Sequence, residues 1–199
     1  MRFLKNSIKI LHGLIYRLLL PVLILPPNQI YKGNVYTIHR VHVMKFLESW
    51  QDRISGRVLN VGAGTWEYPR RLLETHCDLI STDIIEQPGV DVRSDIHKLT
   101  DVFPMQTFDF VICLDVIEHT RCPWVALDQL CKMLKPEGIL LLTFPFNFYI
   151  HRNLQVLDYW RFTSDGIEHL LEEAKFQHAE VTPLGHPRYP FTYLVVARK

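Results

Sequence analysis

The chain has 199 residues, with 22 basic and 21 acidic residues and a formal net charge of +1 at pH 7. This balance gives no electrostatic case for a nucleic-acid partner, and no basic tract or zinc-finger spacing is present. Apolar residues make up 48% of the chain, enough for a globular domain with a buried core. The cysteines form no C-x-x-C pair, which favours core residues in a reducing compartment over a disulfide framework or zinc site: Cys77, Cys113, Cys122 and Cys131.

Residues 1–35 are predicted to form an N-terminal helical arm, because apolar residues recur there at helical spacing among basic ones. The apolar run over residues 10–25 is broken by polar residues and by Pro21, so it is short for a membrane-spanning helix, which needs about 20 apolar residues. No small-residue cleavage site follows it, which argues against a secretory signal. Two interpretations are favoured, and a membrane-spanning anchor is the third alternative. Residues 1–25 lie as a basic amphipathic helix on the cytoplasmic face of a membrane, or they pack on the domain or a second subunit.

A second helix is predicted over residues 36–52, where Thr37 is a suitable N-cap and an apolar stripe follows. We expect this helix to pack on the core. His39, Arg40 and His42 near its start are expected to face solvent rather than to take part in catalysis. Residues 36–199 are predicted to form the main domain.

A buried strand at residues 57–61 runs into the loop Gly62-Ala63-Gly64. Two glycines one residue apart let backbone approach a ligand closely, and ligands of open α/β sheets bind beyond the carboxyl ends of the strands. A dinucleotide fingerprint would have a third glycine where Glu67 stands, which argues against NAD or FAD. A P-loop is excluded because the chain has no Gly-Lys pair.

The rest of the chain alternates strand-like and helix-like segments, as in a sheet with crossover helices. Further strands are predicted at residues 78–83, 91–95, 108–114, 139–144, 179–183 and 193–197. Helices are predicted to begin near Tyr68, at Pro123 and after the N-cap Thr163. Asp83, at the end of the second strand, is placed to accept both hydroxyls of a ribose, although a plain turn aspartate is the alternative.

These segments resemble the class I S-adenosylmethionine-dependent methyltransferases, in particular small-molecule, type 11-like bacterial members. The resemblance covers about residues 40–199 in order and rests on the glycine loop, on Asp95-Ile96, on the D-V-I-E-H sequence at residues 115–119 and on L-K-P-E-G at residues 134–138. Asn60 stands where the family usually has an acid, and Trp66 where it has a third glycine. The implied fold is α/β: a Rossmann-like, doubly wound, mostly parallel seven-stranded sheet with a C-terminal antiparallel hairpin, here preceded by the helical arm.

The resemblance implies S-adenosylmethionine as the cofactor, with Asp83 on the ribose, Asp95 and Ile96 at the adenine, and Asp115 facing the methionine end. The implied cofactor-binding residues are Asn60, Gly62, Ala63, Gly64, Asp83, Ile84, Asp95, Ile96, Asp115 and Val116. A metal held by Asp115, Glu118 and His119 is not expected, because one short segment rarely completes a metal site.

The acceptor is expected beyond the fifth strand of the sheet, where aromatic and basic residues follow without a clear period. The candidate substrate-binding residues are Phe146, Tyr149, Arg152, Tyr159, Trp160 and Arg161. The arginines suit an anionic acceptor. Candidate bases for a hydroxyl acceptor are His119, His151 and Asp158. A purely structural role is the alternative, with Trp160 and Phe162 in the core and Asp158 paired with Arg161.

The sequence thus predicts methyl transfer to an oxygen or nitrogen of a small-molecule, lipid-linked or glycan-linked acceptor, by a cytoplasmic protein. Binding to the inner face of a membrane is one of the interpretations that its arm leaves open. Two alternatives remain. One is a catalytically silent protein of the same fold that acts as a partner subunit, and the other is a membrane-peripheral interaction module.

Overall fold

The computed structural model describes residues 28–152 and 155–199, together with Leu11, His12, Leu14, Ile15 and Leu18. These five residues of the arm are helical and exposed. The other residues of the predicted arm helix lie outside the described part of the chain. Within the described residues, no helix has both the length and the hydropathy of a membrane span.

The strands are β1 (Asn28–Tyr31), β2 (Asn34–Thr37), β3 (Arg57–Val61), β4 (Asp78–Asp83), β5 (Val92–Arg93), β6 (Phe108–Leu114), β7 (Leu134–Pro145), β8 (His178–His186) and β9 (Tyr189–Arg198). The α-helices are α1 (Ile38–Trp50), α2 (Tyr68–Leu73), α3 (Pro123–Met133) and α4 (Ser164–Glu173), and short 3-10 turns cover Gln51–Arg53, Ile96–Asp101 and Ile117–His119. Thr37 and Thr163 cap α1 and α4 as predicted, because each side chain accepts a backbone N–H from the first turn.

Seven strands form one sheet in the order β5-β4-β3-β6-β7-β9-β8. The first five of these are parallel to their neighbours, and β9 pairs antiparallel with both β7 and β8. The predicted fold is therefore confirmed: a mostly parallel Rossmann-like sheet that ends in an antiparallel hairpin. This arrangement brings the carboxyl ends of β3, β4 and β6 together at one edge of the sheet.

The central strands β3, β6 and β7 are buried on both faces, which explains why they are almost continuously apolar. Successive residues alternate between two hydrophobic clusters: Val111 packs on the side of α3 and α4, and its neighbour Ile112 on the side of α1. Cys113 and Cys131 are buried free cysteines in the first cluster, as the sequence predicts.

Several strands differ from the prediction, among them β5, which is shorter than the predicted 91–95. β1 and β2 form a hairpin that was not foreseen, closed by Lys32-Gly33, whose φ angles of 48° and 80° suit a two-residue turn. β7 begins at Leu134 rather than at residue 139, because Leu134 pairs with Phe108 before the register shifts. β8 and β9 extend beyond their predicted ends, since their pairing continues to His186 and Tyr189.

Candidate active site

The loop Gly62-Ala63-Gly64 is held between the ends of β4 and β6. The N–H groups of Gly62 and Ala63 donate to the Thr82 carbonyl at 2.8 and 3.1 Å, and the Gly64 N–H donates to Asp83 Oδ2 at 2.9 Å. Gly62 has a φ of 71°, and a Cβ atom at this position would lie 2.3 Å from Val116 Cγ2. The loop therefore needs glycine for its backbone conformation and for its close contact with Val116.

A cleft of about 600 Å³ opens beside this loop. We call it the acidic cleft, because Asp83 and Asp95 lie in its wall with Ile84, Ile96 and Val116 between and opposite them. Asp95 accepts hydrogen bonds from the backbone N–H and ring Nδ1 of His97 at 2.9 and 2.7 Å. Burial raises the pKa of Asp95, but these bonds outweigh it and the net shift is downward, so the group is a carboxylate at neutral pH.

A second cleft of about 690 Å³ lies on the other side of the glycine loop. We call it the aromatic cleft, because Trp66, Phe148 and Tyr149 are in its wall. It is also lined by His39, Arg40, Gly62, Asp115, Glu118, His119 and His151. Gly62, Asp115 and His119 line both clefts, so the two meet at the carboxyl ends of β3 and β6.

Asp115 lies at this junction and is held by the start of α1. Its Oδ2 accepts from His39 Nε2 at 2.9 Å and lies 3.4 Å from Arg40 Nη1, while Oδ1 accepts from the Thr143 hydroxyl at 2.8 Å. Burial raises the pKa of Asp115, but the charges of His39 and Arg40 and these hydrogen bonds outweigh it and hold the pKa well below the usual range. Asp115 is therefore an ionised carboxylate at the point where the two clefts join.

The prediction that His39 faces solvent is wrong, because its side chain is only 5% exposed. Arg40 is partly exposed, and its guanidinium lies 4.1 Å from the centre of the Trp66 ring. The sequence did contain a signal for His39, since helical spacing puts it on the same stripe as the buried Val43 and Phe46.

Glu118, His119 and His151 come together at the floor of the aromatic cleft. The rings of His119 and His151 are 4.8 Å apart, and Glu118 Oε1 lies 3.6 Å from His119 Nε2. Burial lowers the pKa of His119, so its imidazole is neutral at pH 7. Burial and the charge of Asp115 raise the pKa of Glu118.

The other candidates for catalysis and substrate binding lie in different places, some in the wall of a cleft and some outside both clefts. Tyr149 lines the aromatic cleft and Tyr159 the acidic cleft. Asp158 is 1% exposed and pairs with Arg161 through contacts of 2.5 and 2.8 Å, so both charges of this pair are engaged. Six predicted site residues lie outside the linings of both clefts: Asn60, Phe146, Arg152, Asp158, Trp160 and Arg161.

Comparison with known proteins gives consistent results. The family described as "Methyltransferase domain" matches residues 38–179. The ubiquinone biosynthesis O-methyltransferase of Idiomarina loihiensis is 27% identical in an alignment 123 residues long, which covers 53% of this chain and 50% of that protein. The chain therefore spans about half the length of this curated relative.

Solved structures share the fold at low identity. A SAM-dependent methyltransferase from Archaeoglobus fulgidus has a TM-score of 0.65 and 17% identity, over 80% of this chain and 94% of that one. The 1,6-didemethyltoxoflavin-N1-methyltransferase of Burkholderia thailandensis, solved with its substrate and S-adenosylhomocysteine, has a TM-score of 0.63 and 20% identity, over 81% of this chain and 78% of that one.

Proposed function

The chain belongs to the methyltransferase-domain family, whose class I members use S-adenosylmethionine, and from this membership we propose that it transfers the methyl group of that cofactor to an oxygen or nitrogen of a small-molecule acceptor. The observation that carries the proposal is the junction of the two clefts at Gly62, Asp115 and His119. A cofactor whose nucleoside occupies the acidic cleft would reach this junction with its other end, and an acceptor in the aromatic cleft would meet it there.

The donor set of the acidic cleft fits a nucleoside. A carboxylate with two acceptor oxygens suits a vicinal diol, which is the role proposed for Asp83, and Asp95 suits an exocyclic amine. Ile84, Ile96 and Val116 offer apolar surface for the base. Gly62, Ala63 and Gly64 let the ligand approach the backbone. Asn60 is buried in β3 and its amide donates to Ser81 Oγ at 3.4 Å, so its proposed role is to support the loop from behind.

The start of α1 supports a place for the amino-acid end of the cofactor. His39 donates through Nε2 to Asp115, and its buried Nδ1 atom has no hydrogen-bond partner in the described part of the chain. In the neutral form of the ring this Nδ1 atom is an acceptor. An ammonium group would supply the missing donor. Arg40, beside it, suits the carboxylate of the same ligand.

Bound S-adenosylmethionine supplies a methyl group that is already activated by a positively charged sulfur. The chain's own residues then have to align the acceptor and exclude water. Phe148 and Tyr149 stack with ring centres 4.5 Å apart and offer the acceptor an apolar wall. His119 and His151 are better placed than Asp158 to take a proton from a hydroxyl acceptor, because they line the cleft and Asp158 is held by Arg161.

The outer residues of the candidate set support an anionic acceptor less directly. Arg152 is exposed at the edge of the loop that carries His151, where it can meet an acidic group on a larger acceptor. Arg161 is engaged by Asp158, and the Trp160 indole N–H donates to the Thr120 carbonyl at 2.9 Å. Phe146 packs against Tyr193. We propose that these last three shape the acceptor loop rather than touch the acceptor.

The organisation of the chain is proposed as an arm over residues 1–35 and a methyltransferase domain over residues 36–199. Leu14 and Leu18 are helical and are 53% and 77% exposed, which supports a membrane-facing role for residues 1–25 on the inner face of a membrane. Binding of the whole chain to phosphatidylglycerol vesicles, and weaker binding by a Leu14→Glu/Leu18→Glu variant, would support this. Equal binding by both would contradict it.

The cofactor proposal is tested by calorimetric titration of the protein with S-adenosylhomocysteine. We expect micromolar binding that an Asp83→Ala variant weakens at least tenfold. Asp101→Ala is the matched control, because Asp101 is exposed and lies outside both clefts. No binding by folded parent protein would overturn the proposal and favour an interaction module. Binding without turnover of any acceptor would favour a catalytically silent partner subunit.

A further inference from the structure

The carboxylate of Glu118 is buried without any group to neutralise it. Its side chain is 0% exposed, and within the described residues neither Oε1 nor Oε2 has a hydrogen-bond partner. An ionised carboxylate in the interior is strongly disfavoured unless it is paired or binds a metal. The neighbouring acids Asp115 and Asp158 make the charge less favourable, and the nearby Arg161 is already paired with Asp158.

The ring nitrogen Nε2 of His119 lies near this carboxylate and is also a hydrogen-bond acceptor. Its Nδ1 donates to the Leu157 carbonyl at 2.7 Å, so Nε2 carries the lone pair of the neutral ring. That Nε2 atom lies 3.6 Å from Glu118 Oε1. Two acceptors therefore face each other, with no donor hydrogen between them as long as Glu118 is ionised.

His151 completes the cluster from the loop after β7. One ring nitrogen from each histidine and one carboxylate oxygen of Glu118 all lie within 4.8 Å of one another. The Nδ1 atom of His151 lies 3.2 Å from the Tyr149 carbonyl and 3.3 Å from Asp158 Oδ2. A metal-binding histidine characteristically donates its other ring N–H to a carbonyl or carboxylate, and both histidines here have such a partner.

We propose that Glu118, His119 and His151 bind a divalent transition-metal ion, of which Zn²⁺ is the representative, at the floor of the aromatic cleft. Two imidazoles and one carboxylate are a ligand set for zinc that keeps a position open, with metal–ligand distances of about 2.0–2.2 Å. The three candidate ligand atoms lie within 4.8 Å of one another, and His151, which is 31% exposed on the loop after β7, is the ligand that would move inward to bind the ion.

This proposal is compatible with the expectation that the segment 115–119 does not complete a metal site alone, because the third ligand is His151 rather than Asp115. It goes beyond the sequence analysis, which expected no metal. All three residues line the aromatic cleft, so a bound ion would suit an acceptor with an oxygen ligand, whose hydroxyl pKa it would lower. In this form the histidines are ligands and do not act as bases. The metal site itself does not rest on the proposed methyl transfer; only its effect on the acceptor does.

The test is a titration of the tag-free, chelator-treated protein with Co²⁺ alone, followed by its visible d–d absorption, and then by displacement with Zn²⁺. We expect one Co²⁺ per chain with micromolar affinity, weakened at least tenfold in Glu118→Gln and in His151→Asn. His178→Asn is the matched control, because His178 is an exposed histidine of β8 and lies outside the aromatic cleft. Circular dichroism checks folding. If Glu118→Gln does not fold, His151→Asn still decides, since its loop position leaves the core untouched.

Absence of binding by the parent would overturn the metal proposal, as would equal binding by His151→Asn. Sulfur-to-metal charge-transfer bands would also overturn it, because they would assign the ion to a cysteine. Binding of S-adenosylhomocysteine, measured on the same metal-free sample, distinguishes these outcomes from failure of the proposed function: retained cofactor binding without metal binding refutes the metal site alone.

Discussion

The carboxylate of Asp83 accepts a hydrogen bond from the backbone N–H of Gly64 at 2.9 Å. Its other oxygen accepts the N–H of Ile85, also at 2.9 Å. The acid at the end of β4 therefore shapes the glycine loop after β3 while its remaining lone pairs face the acidic cleft. A proposed ligand-binding residue here has a structural role as well, and the two roles can be separated by experiment.

We expect Asp83→Asn to lose most of the affinity for S-adenosylhomocysteine but less stability than Asp83→Ala. The amide oxygen of asparagine still accepts one of the two backbone bonds, whereas alanine accepts neither. Each such bond contributes about 1 kcal/mol. Urea denaturation of the ligand-free proteins measures the stability, and calorimetry the affinity. Equal loss of stability in both variants would show that the two hydrogen bonds do not hold the loop.

The contact between Gly62 and Val116 gives a second prediction. Gly62→Ala should lose stability for two reasons: its φ of 71° costs about 1–2 kcal/mol for a side chain, and the new Cβ would be 2.3 Å from Val116 Cγ2. Gly89→Ala is the matched control, because Gly89 has a φ of 88° and nothing within 4 Å of a Cβ. The difference between the two variants then measures the overpacking, about 1–3 kcal/mol.

The double variant Gly62→Ala/Val116→Ala should recover part of that difference, since it removes the methyl groups that clash but keeps the strained φ. Thermal denaturation of the parent, Gly62→Ala, Val116→Ala and the double variant provides the comparison. If adding Val116→Ala does not restore any stability to Gly62→Ala, the loop has shifted to avoid the clash. Close contact with Val116 is then not the reason for glycine at this position.

The Asp115–His39 pair predicts a pH dependence. A carboxyl whose pKa is lowered by folding adds stability above its unfolded pKa of about 3.9, and that stability is lost as the pH falls further. Asp115→Ala should therefore cost about 3–5 kcal/mol at pH 7, because it removes the acceptor and leaves His39 buried without its partner. The cost should shrink below pH 4, where the parent loses the same contribution. Denaturation at pH 7 and pH 3 tests this, and an unchanged cost would contradict it.

The central strands were predictable because a strand that is buried on both faces has an almost continuous run of apolar residues. The borders of β3, β4 and β6 agree with the predicted ones, since each apolar run ends at a glycine or an acid. The acids at the strand ends were predictable for the same reason: once the strands are parallel, Asp83 and Asp115 must share one edge of the sheet.

The contacts across that edge were not predictable. His39 is 76 residues from Asp115, and nothing in a single sequence states the register in which α1 meets β6. The approach of His151 to Glu118 depends in the same way on how the loop after β7 folds back. Its anchor is the Glu118 carbonyl, which accepts the N–H groups of Tyr159 and Trp160 at 2.9 and 3.1 Å. Hydrogen bonds between backbone groups can be made by almost any residue type, so they cannot be predicted from the residues at these positions.

Asp109 has a structural role at the edge of the sheet opposite the clefts. It is the second residue of β6, where Oδ2 accepts the backbone N–H of Arg57 at 2.9 Å and both oxygens accept from Lys135 Nζ at 2.8 Å. Burial raises the pKa of Asp109, but the Lys135 and Arg57 bonds outweigh it and lower the pKa. These contacts tie together the starts of β3, β6 and β7.

We expect Asp109→Ala to destabilise the protein by about 1–2 kcal/mol while the affinity for S-adenosylhomocysteine stays unchanged. The side chain is 35% exposed, so solvent screening keeps the cost toward the lower end of that range. Asp128→Ala is the matched control. Asp128 pairs with Lys132 at 2.6 Å, but this exposed i,i+4 pair on α3 is worth only about 0.3–0.5 kcal/mol. Equal losses in the two variants, measured by urea denaturation, would mean that the ion pair alone matters. A larger loss for Asp109 would assign the difference to the backbone bond that joins β3 to β6.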